Sequence, residues 1–269
     1  MFWIEILLAV FFVLSKAAIY ACALLLVGLS LYDILKIGRL TTKVGLWLLA
    51  ALLLAIGGHW ICLNAGMGEH PFDIESLGWL WPVYDVWTAG LLGGAVVLLM
   101  ASRTAGLLRS NLMIASAIVI AIGLSNIGHS RSEGVAEFAP VILAAHVWVA
   151  AFWVAAVPTL WPRDANTAAI RTERFSRYAL ALVPVVFMTG LGLVWLILER
   201  PWLTLSTPYE RLMVLKLAGV VGILGLGALN KTYVARKLKQ DPQTGSKWLR
   251  QTLAADATLF FPPPSAHSR

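Results

Sequence analysis

Residues 44–63 read VGLWLLAALLLAIGGHWICL, a run of 20 residues that contains no Lys, Arg, Asp or Glu. A helix needs about 20 consecutive apolar residues to cross roughly 30 Å of hydrocarbon. This segment therefore predicts a transmembrane helix.

Similar apolar runs recur along the chain, of which 59% is hydrophobic and 13% charged. Soluble domains carry about 25% charged residues. The runs predict helices at residues 3–31, 44–63, 83–101, 106–127, 140–161, 175–198 and 211–233. An eighth run, 248–261, stops at three prolines and is too short to span a bilayer at about 1.5 Å per residue. The prediction is an all-α polytopic transmembrane helix bundle with seven spans plus a short or incomplete eighth.

The whole chain, 1–269, is predicted to be a single transmembrane domain, with a basic segment and a short C-terminal apolar stretch at 234–269. The first apolar run carries Glu5, lacks a basic leader and is too long for a signal-peptide core, so we expect it to remain as the first span. Small residues at helix surfaces permit close packing in lipid. We expect this role for Gly90 and Gly94, and for the glycines at 219, 222, 225 and 227.

Charge in the loops predicts the orientation, because cytoplasmic loops retain Lys and Arg. The first predicted loop contains Lys36, Arg39 and Lys43, and six basic residues lie between 231 and 250, at the end of the seventh helix and after it. The second loop contains three acidic residues and no basic residue. These patterns predict that the N-terminus and the even-numbered loops lie outside.

With this orientation, four of the five histidines gather at the outer side, namely His59, His70, His129 and His146. Cys62, Met67, Asp73 and Asp85 share that level. Imidazole binds copper, zinc, iron and nickel, whereas sulfur favours Cu(I). The pattern predicts an outer metal site made of the four histidines with Met67 and Asp85. Taken alone, a surface histidine is more often a solvated group, and Asp85 fits equally well as a charge at a helix N-terminus.

Polar residues inside predicted spans indicate a pathway or site, since charge within the bilayer is costly. Lys16 and Lys216 are of this kind, and Trp153 shares a helical face with His146. We predict these three residues along a transport path. Lys216 is also close enough to a helix end to extend its amine to the interface.

Several other functions are disfavoured by the sequence. The chain has no phosphate-binding GxxxxGK loop, no GxSxG and no HExxH, so no catalytic residue is predicted and a transporter is favoured over an enzyme. The net charge of +7 is spread over several loops, which argues against a nucleic-acid partner. The oligomeric state is left open by the sequence.

Several motifs resemble one family. They are GH at 128–129, HVWVAAFW at 146–153, RFSR at 174–177, MTGL at 188–191, YERLMVLKLA at 209–218 and GALNK at 227–231. In this combination the chain resembles the CopD (PcoD) copper resistance protein D family of bacterial inner-membrane proteins. In that family the last helix normally completes a span. Here the last apolar run stops at Phe261, which suggests a truncated or altered terminus.

The resemblance implies a multi-pass protein of the bacterial inner membrane that carries copper, as Cu(I) or Cu(II), toward the cytoplasm. It also implies His129 and His146 as leading ligands and a periplasmic CopC-like copper carrier as a partner, beside the lipid bilayer itself. Two alternatives stay open. One is a membrane oxidoreductase that binds haem b through two of His59, His129 and His146, and the other is a scaffold for a periplasmic partner.

Overall fold

The computed structural model describes residues 2–126, 137–162, 164–198 and 207–260, and these residues form helices and short loops without a β-strand. The helices are α1 Phe2–Ile34, α2 Thr42–Gly66, α3 Ile74–Ala101, α4 Gly106–Ser125, α5 Ala139–Val154, α6 Ala156–Leu160, α7 Ala165–Leu198, α8 Pro208–Leu229, α9 Ala235–Gln240 and α10 Pro242–Phe260. A π-helical segment, Asn230–Val234, joins α8 to α9. The all-helical fold is thus confirmed.

Among the described residues, six helical segments are long and apolar enough to cross a membrane. They are Ile6–Ile34, Thr42–Gly66, Gly106–Ser125, Ala139–Leu160, Thr167–Leu196 and Glu210–Val234. The helix predicted at 83–101 is present within α3, but its described apolar part, Val86–Ala101, is shorter than these six. The protein is therefore a helical protein with six candidate membrane spans, and α10 is not one of them.

The ends of several helices differ from the prediction. The third helix begins at Ile74 and the sixth at Ala165, nine and ten residues earlier than expected from apolar runs. The extension of the sixth helix, ANTAAIRTER, is mostly polar, and a helix that leaves the bilayer can continue with polar residues in water. The extension of the third helix, IESLGWLWP, is mostly apolar and ends at the proline that precedes the predicted run. The fifth predicted helix is divided at Ala155 into α5 and α6. α10 begins at Pro242 and includes six residues before the predicted apolar run.

The chain divides into two compact units, Met1–Phe152 and Trp153–Arg269. In the first unit, α3 and α4 pack most closely because glycines line their contact. A Cβ atom on Gly90 would lie 2.9 Å from Gly123 Cα, and one on Gly94 would lie 2.5 Å from Ile120 Cγ1. Ser116 Oγ donates to Gly94 O at 2.6 Å across the same contact. The packing role predicted for Gly90 and Gly94 is confirmed.

A buried ion pair joins the loops at one end of the first unit. Arg109 Nε and Nη2 donate to the two carboxylate oxygens of Asp33 at 3.0 and 2.6 Å. The guanidinium also donates to Leu40 O at 3.0 Å and to Ser102 O at 2.9 Å. Asp33 in turn accepts from Leu40 N at 2.8 Å. One guanidinium thereby connects the end of α1, the loop before α2 and the turn after α3.

In the second unit, α10 packs against α6, α7, α8, α9 and the π-helical segment. Its buried face repeats at helical spacing and consists of Leu249, Thr252, Leu253 and Asp256. The run predicted to be apolar is therefore amphipathic. By contrast, Cβ atoms at Gly219, Gly225 or Gly227 of α8 would meet no atom of the described chain within 4 Å, so the packing expected of these glycines is not seen there.

Candidate functional site

His59 is buried among three helices of the first unit, with 6% of its surface exposed. Its ring stacks on Phe12 of α1 at a centroid distance of 4.6 Å and meets the edge of Trp87 of α3 at 6.4 Å. Ser15 Oγ lies 3.2 Å from His59 Nδ1 and donates to Phe12 O at 2.9 Å. The Ser15 hydroxyl therefore links the His59 ring to the backbone of α1.

Lys16 follows Ser15 and is half-buried in α1. Lys16 is also four residues after Phe12, which stacks on His59, so it lies on the face of α1 that carries this contact. A nearby ammonium opposes the binding of another cation. Among the described residues, the contacts of the His59 ring are with Phe12, Ser15 and Trp87.

An open cleft of about 420 Å³ lies where the loop after α2 meets the start of α3. It is lined by Met67, Glu69, Asp73, Glu75, Ser76 and Trp79. Asp73 caps α3 by accepting from Glu75 N at 3.4 Å and from Ser76 N at 3.2 Å. Hydrogen bonds from Ser76 lower the pKa of Asp73, which keeps its carboxylate charged. The cleft therefore presents acidic oxygens together with the thioether of Met67, which is 54% exposed.

The loop beside the cleft is fixed by Asn64, which is buried at the end of α2. Its Nδ2 donates to the backbone oxygen of His70 at 2.8 Å. The His70 ring is exposed, and its Nδ1 accepts from Phe72 N at 3.3 Å. His59 precedes the end of α2 by about two turns, or roughly 10 Å, so the two histidines occupy different levels.

The other predicted site residues are distributed as follows. His146 is half-buried on α5, two turns after the helix begins at Ala139. His129 lies outside the described residues. Asp85 and Lys216 lie on α3 and α8, but their side chains are not described. Within the described part of the chain, no three His, Cys, Asp or Glu side chains form a metal-binding group, so a complete ligand set is not present there.

A second cavity, of about 370 Å³, lies in the second unit and includes Trp153 in its wall. Phe175 and Leu180 of α7, Leu224 of α8 and Lys231 of the π-helical segment also line it. Its wall is mainly apolar and includes the ammonium group of Lys231. Trp153, a residue of the predicted transport path, is 8% exposed and lines this cavity.

Sequence reasoning did not identify Glu69, Glu75 and Ser15 as site residues. The two glutamates were recognisable as acidic residues of one predicted loop, and a search for carboxylates within eight positions of Met67 would have selected them. Ser15 gives no such signal, because its contact with His59 joins residues 44 positions apart.

Comparisons with known proteins bear on the second unit. Curated proteins and solved structures gave no match to this chain. A family model, CopD, described as Copper resistance protein D, matches residues 169–261. This stretch includes most of α7 and all of α8, α9 and α10, and it excludes His59, His70, His129 and His146. From residue 169 to residue 261, the chain is thus similar to the copper resistance protein D family, as its sequence motifs predicted.

Proposed function

We propose that this protein captures copper ions outside the bacterial inner membrane and moves them toward the cytoplasm. The observation that carries the proposal is the match of residues 169–261 to the copper resistance protein D family, in a chain with six candidate membrane spans. Copper is the transported ion in this proposal, and the protein acts as a transporter in copper homeostasis.

The acidic cleft beside α3 is the proposed entry point. No Lys or Arg occurs between Lys43 and Arg103, so the carboxylates of Glu69, Asp73 and Glu75 create a negative potential that is not offset by nearby sequence. Clefts lined by one sign of charge raise the local concentration of counter-ions. Met67 adds a soft sulfur ligand that suits Cu(I). The positive charge of Lys16 makes His59 a weaker first site for a cation.

The distribution of basic residues supports the proposed orientation of the chain in the membrane. Lys36, Arg39 and Lys43 flank one end of α1 and α2, and basic residues also follow α8. Under the positive-inside rule these ends are cytoplasmic. The acidic cleft, at the opposite end of α2, then faces the periplasm, where a CopC-like carrier would deliver copper. His70, His129 and His146 are the proposed ligands that receive the ion, with Asp85 as a further oxygen donor.

Beyond the acidic cleft, the proposed path uses Lys16, Trp153 and Lys216. Ammonium groups within a span limit where a cation can rest, because like charges repel at short range. Trp153 contributes an apolar wall that excludes water. In this scheme the outer ligands select copper, and the path residues prevent the ion from remaining bound.

The first test concerns the outer histidines. Replacing His129 or His146 with alanine is expected to reduce copper-dependent accumulation to the background of cells without the protein, because each imidazole is a proposed ligand. Accumulation is measured by elemental analysis of washed cells with matched protein levels. His267→Ala, in the C-terminal tail, is the matched control and should transport normally. Normal accumulation in both His129→Ala and His146→Ala would refute the proposed ligand set.

The second test concerns the acidic cleft. The triple variant Glu69→Gln, Asp73→Asn, Glu75→Gln is expected to raise the copper concentration for half-maximal uptake about 10-fold, with little change in the maximal rate, since it removes electrostatic attraction. Added salt should weaken uptake by the parent protein more than by the variant. Glu137→Gln, an exposed change in another loop, is the control. Equal salt dependence in the parent and the triple variant would contradict this role.

A further inference from the structure

A buried carboxyl group in the second unit lies outside the proposed copper path. Asp256 on α10 is 8% exposed, and its Oδ1 is buried without a hydrogen-bond partner. Thr252 is four residues earlier and therefore lies on the same face of the helix. Its Oγ1 donates to Asn230 Oδ1 of the π-helical segment at 2.6 Å, and both residues are buried. Asp256 thus continues a polar row on the contact face of α10.

Within the part of the chain that the structure describes, no charged group stabilises an Asp256 carboxylate. Burial alone raises its pKa to about 7. The other members of the polar row, Asn230 and Thr252, are neutral. The charged groups described on α10 and on the elements packed against it do not contribute to this rise in pKa. These groups are Arg171, Glu173, Arg174, Arg177, Glu210, Arg211, Lys231, Arg236, Lys237, Lys247 and Arg250. The side chains of Lys216 and Lys239 are not described.

A proton is the cation that fits such a group. A metal ion needs several ligands, whereas Asp256 is a single carboxylate and the described residues provide no metal-binding group around it. A proton needs one oxygen, and protonation removes the charge that makes burial costly. The neutral acid also gains an O–H donor within a polar row.

We propose that Asp256 is a proton-binding site that controls the docking of α10 in the second unit. With its proton bound, the neutral side chain stays between α10 and its neighbours. When the proton is released to the surrounding water, the carboxylate favours solvent and α10 loosens from the π-helical segment. This site lies within the stretch similar to the copper resistance protein D family, but its protonation does not depend on the proposed copper transport.

Infrared difference spectroscopy tests proton binding directly in the purified full-length protein without copper. Between pH 5.5 and 8.5, the parent protein is expected to lose one carbonyl band of a protonated carboxyl group, and Asp256→Asn should lack this change. Asp241→Asn is the matched control, an aspartate that directly precedes the other end of α10. Hydrogen bonds from Thr244 lower the pKa of Asp241, so this group is charged across the whole range and its variant should behave like the parent.

Thermal unfolding in detergent tests the link to folding. Because the pKa rises from 3.8 to about 7, the folded chain binds this proton about 1,000-fold more tightly than the unfolded chain. Stability from Asp256 is therefore full below pH 4 and is lost as the pH rises to about 7. The unfolding midpoint of Asp256→Asn should fall less over this range than that of the parent.

Two outcomes would overturn the proposal. One is an identical carboxyl band change in the parent and in Asp256→Asn, and the other is an identical pH slope of their unfolding midpoints. If the asparagine variant does not fold, Asp256→Glu retains a carboxyl group and should shift the frequency of the band. An unshifted band would then assign the proton to another residue. Because no copper is used, failure of the transport hypothesis leaves these results interpretable.

Discussion

Replacing Arg109 with alanine is expected to remove most of the folded protein. The guanidinium and Asp33 are both buried, with side-chain exposures of 10% and 12%. Removing one partner of a buried ion pair costs about 3–5 kcal/mol because the remaining charge is left without compensation. Here the change also removes the donors to Leu40 O and Ser102 O. Since domains are stable by only about 5–15 kcal/mol, the yield of monodisperse protein in detergent should collapse.

Three variants separate the ion pair from general effects of the change. Arg103→Ala removes an exposed arginine from the turn after α3, to which Arg109 donates, and should leave yield and unfolding temperature unchanged. Arg109→Lys retains the charge but loses the bidentate contact with the carboxylate, and an intermediate loss of yield is expected. The double variant Asp33→Leu, Arg109→Leu leaves no buried charge and should recover part of the yield. A full yield of Arg109→Ala would show that the pair is dispensable.

This ion pair illustrates what the sequence could not predict. Asp33 and Arg109 are 76 positions apart, and each was interpretable only as a charge near the end of an apolar run. Their pairing depends on how α1, α3 and α4 pack, which periodicity does not specify. The contact between Ser15 and His59 was hidden for the same reason.

The membrane helices were predictable because hydrocarbon thickness sets a minimum length for apolar runs. The start of α7 was not, since the helix begins ten mostly polar residues before its apolar run. The start of α3 nevertheless carries a local signal, because Asp73 caps it through Ser76. Likewise, Thr207 and Glu210 form a capping box at α8. Reading these caps together with hydropathy would have located both starts more accurately.

The structure brings together some of the predicted site residues and not others, for a physical reason. Met67 and the acidic residues are close in sequence, so the short loop after α2 brings them to one cleft. The histidines are distributed over α2, its following loop, α5 and a segment outside the described residues. Their convergence requires long-range packing that loop charges and helical periodicity cannot provide, and it remains a prediction.

The second large effect is expected for Gly94 in the contact between α3 and α4. Its Cβ would lie 2.5 Å from Ile120 Cγ1 and 3.1 Å from Ser116 O. Alanine must therefore displace a buried side chain and disturb the bond from Ser116 to Gly94 O. Overpacking of this kind typically costs about 1–3 kcal/mol, and the larger leucine should cost more. We expect Gly94→Ala to lower the unfolding temperature measured in detergent and Gly94→Leu to prevent folding.

The neighbouring Gly93 provides a matched control, because a Cβ there would have no described atom within 4 Å. Both positions are in the same helix, so alanine gains the same helix propensity, about 1 kcal/mol, at each. Gly93→Ala should therefore keep or raise the unfolding temperature. The difference between the two variants then measures the packing of α3 on α4 without the contribution of propensity. Equal unfolding temperatures would mean that these helices do not approach at Gly94 as closely as the structure has them.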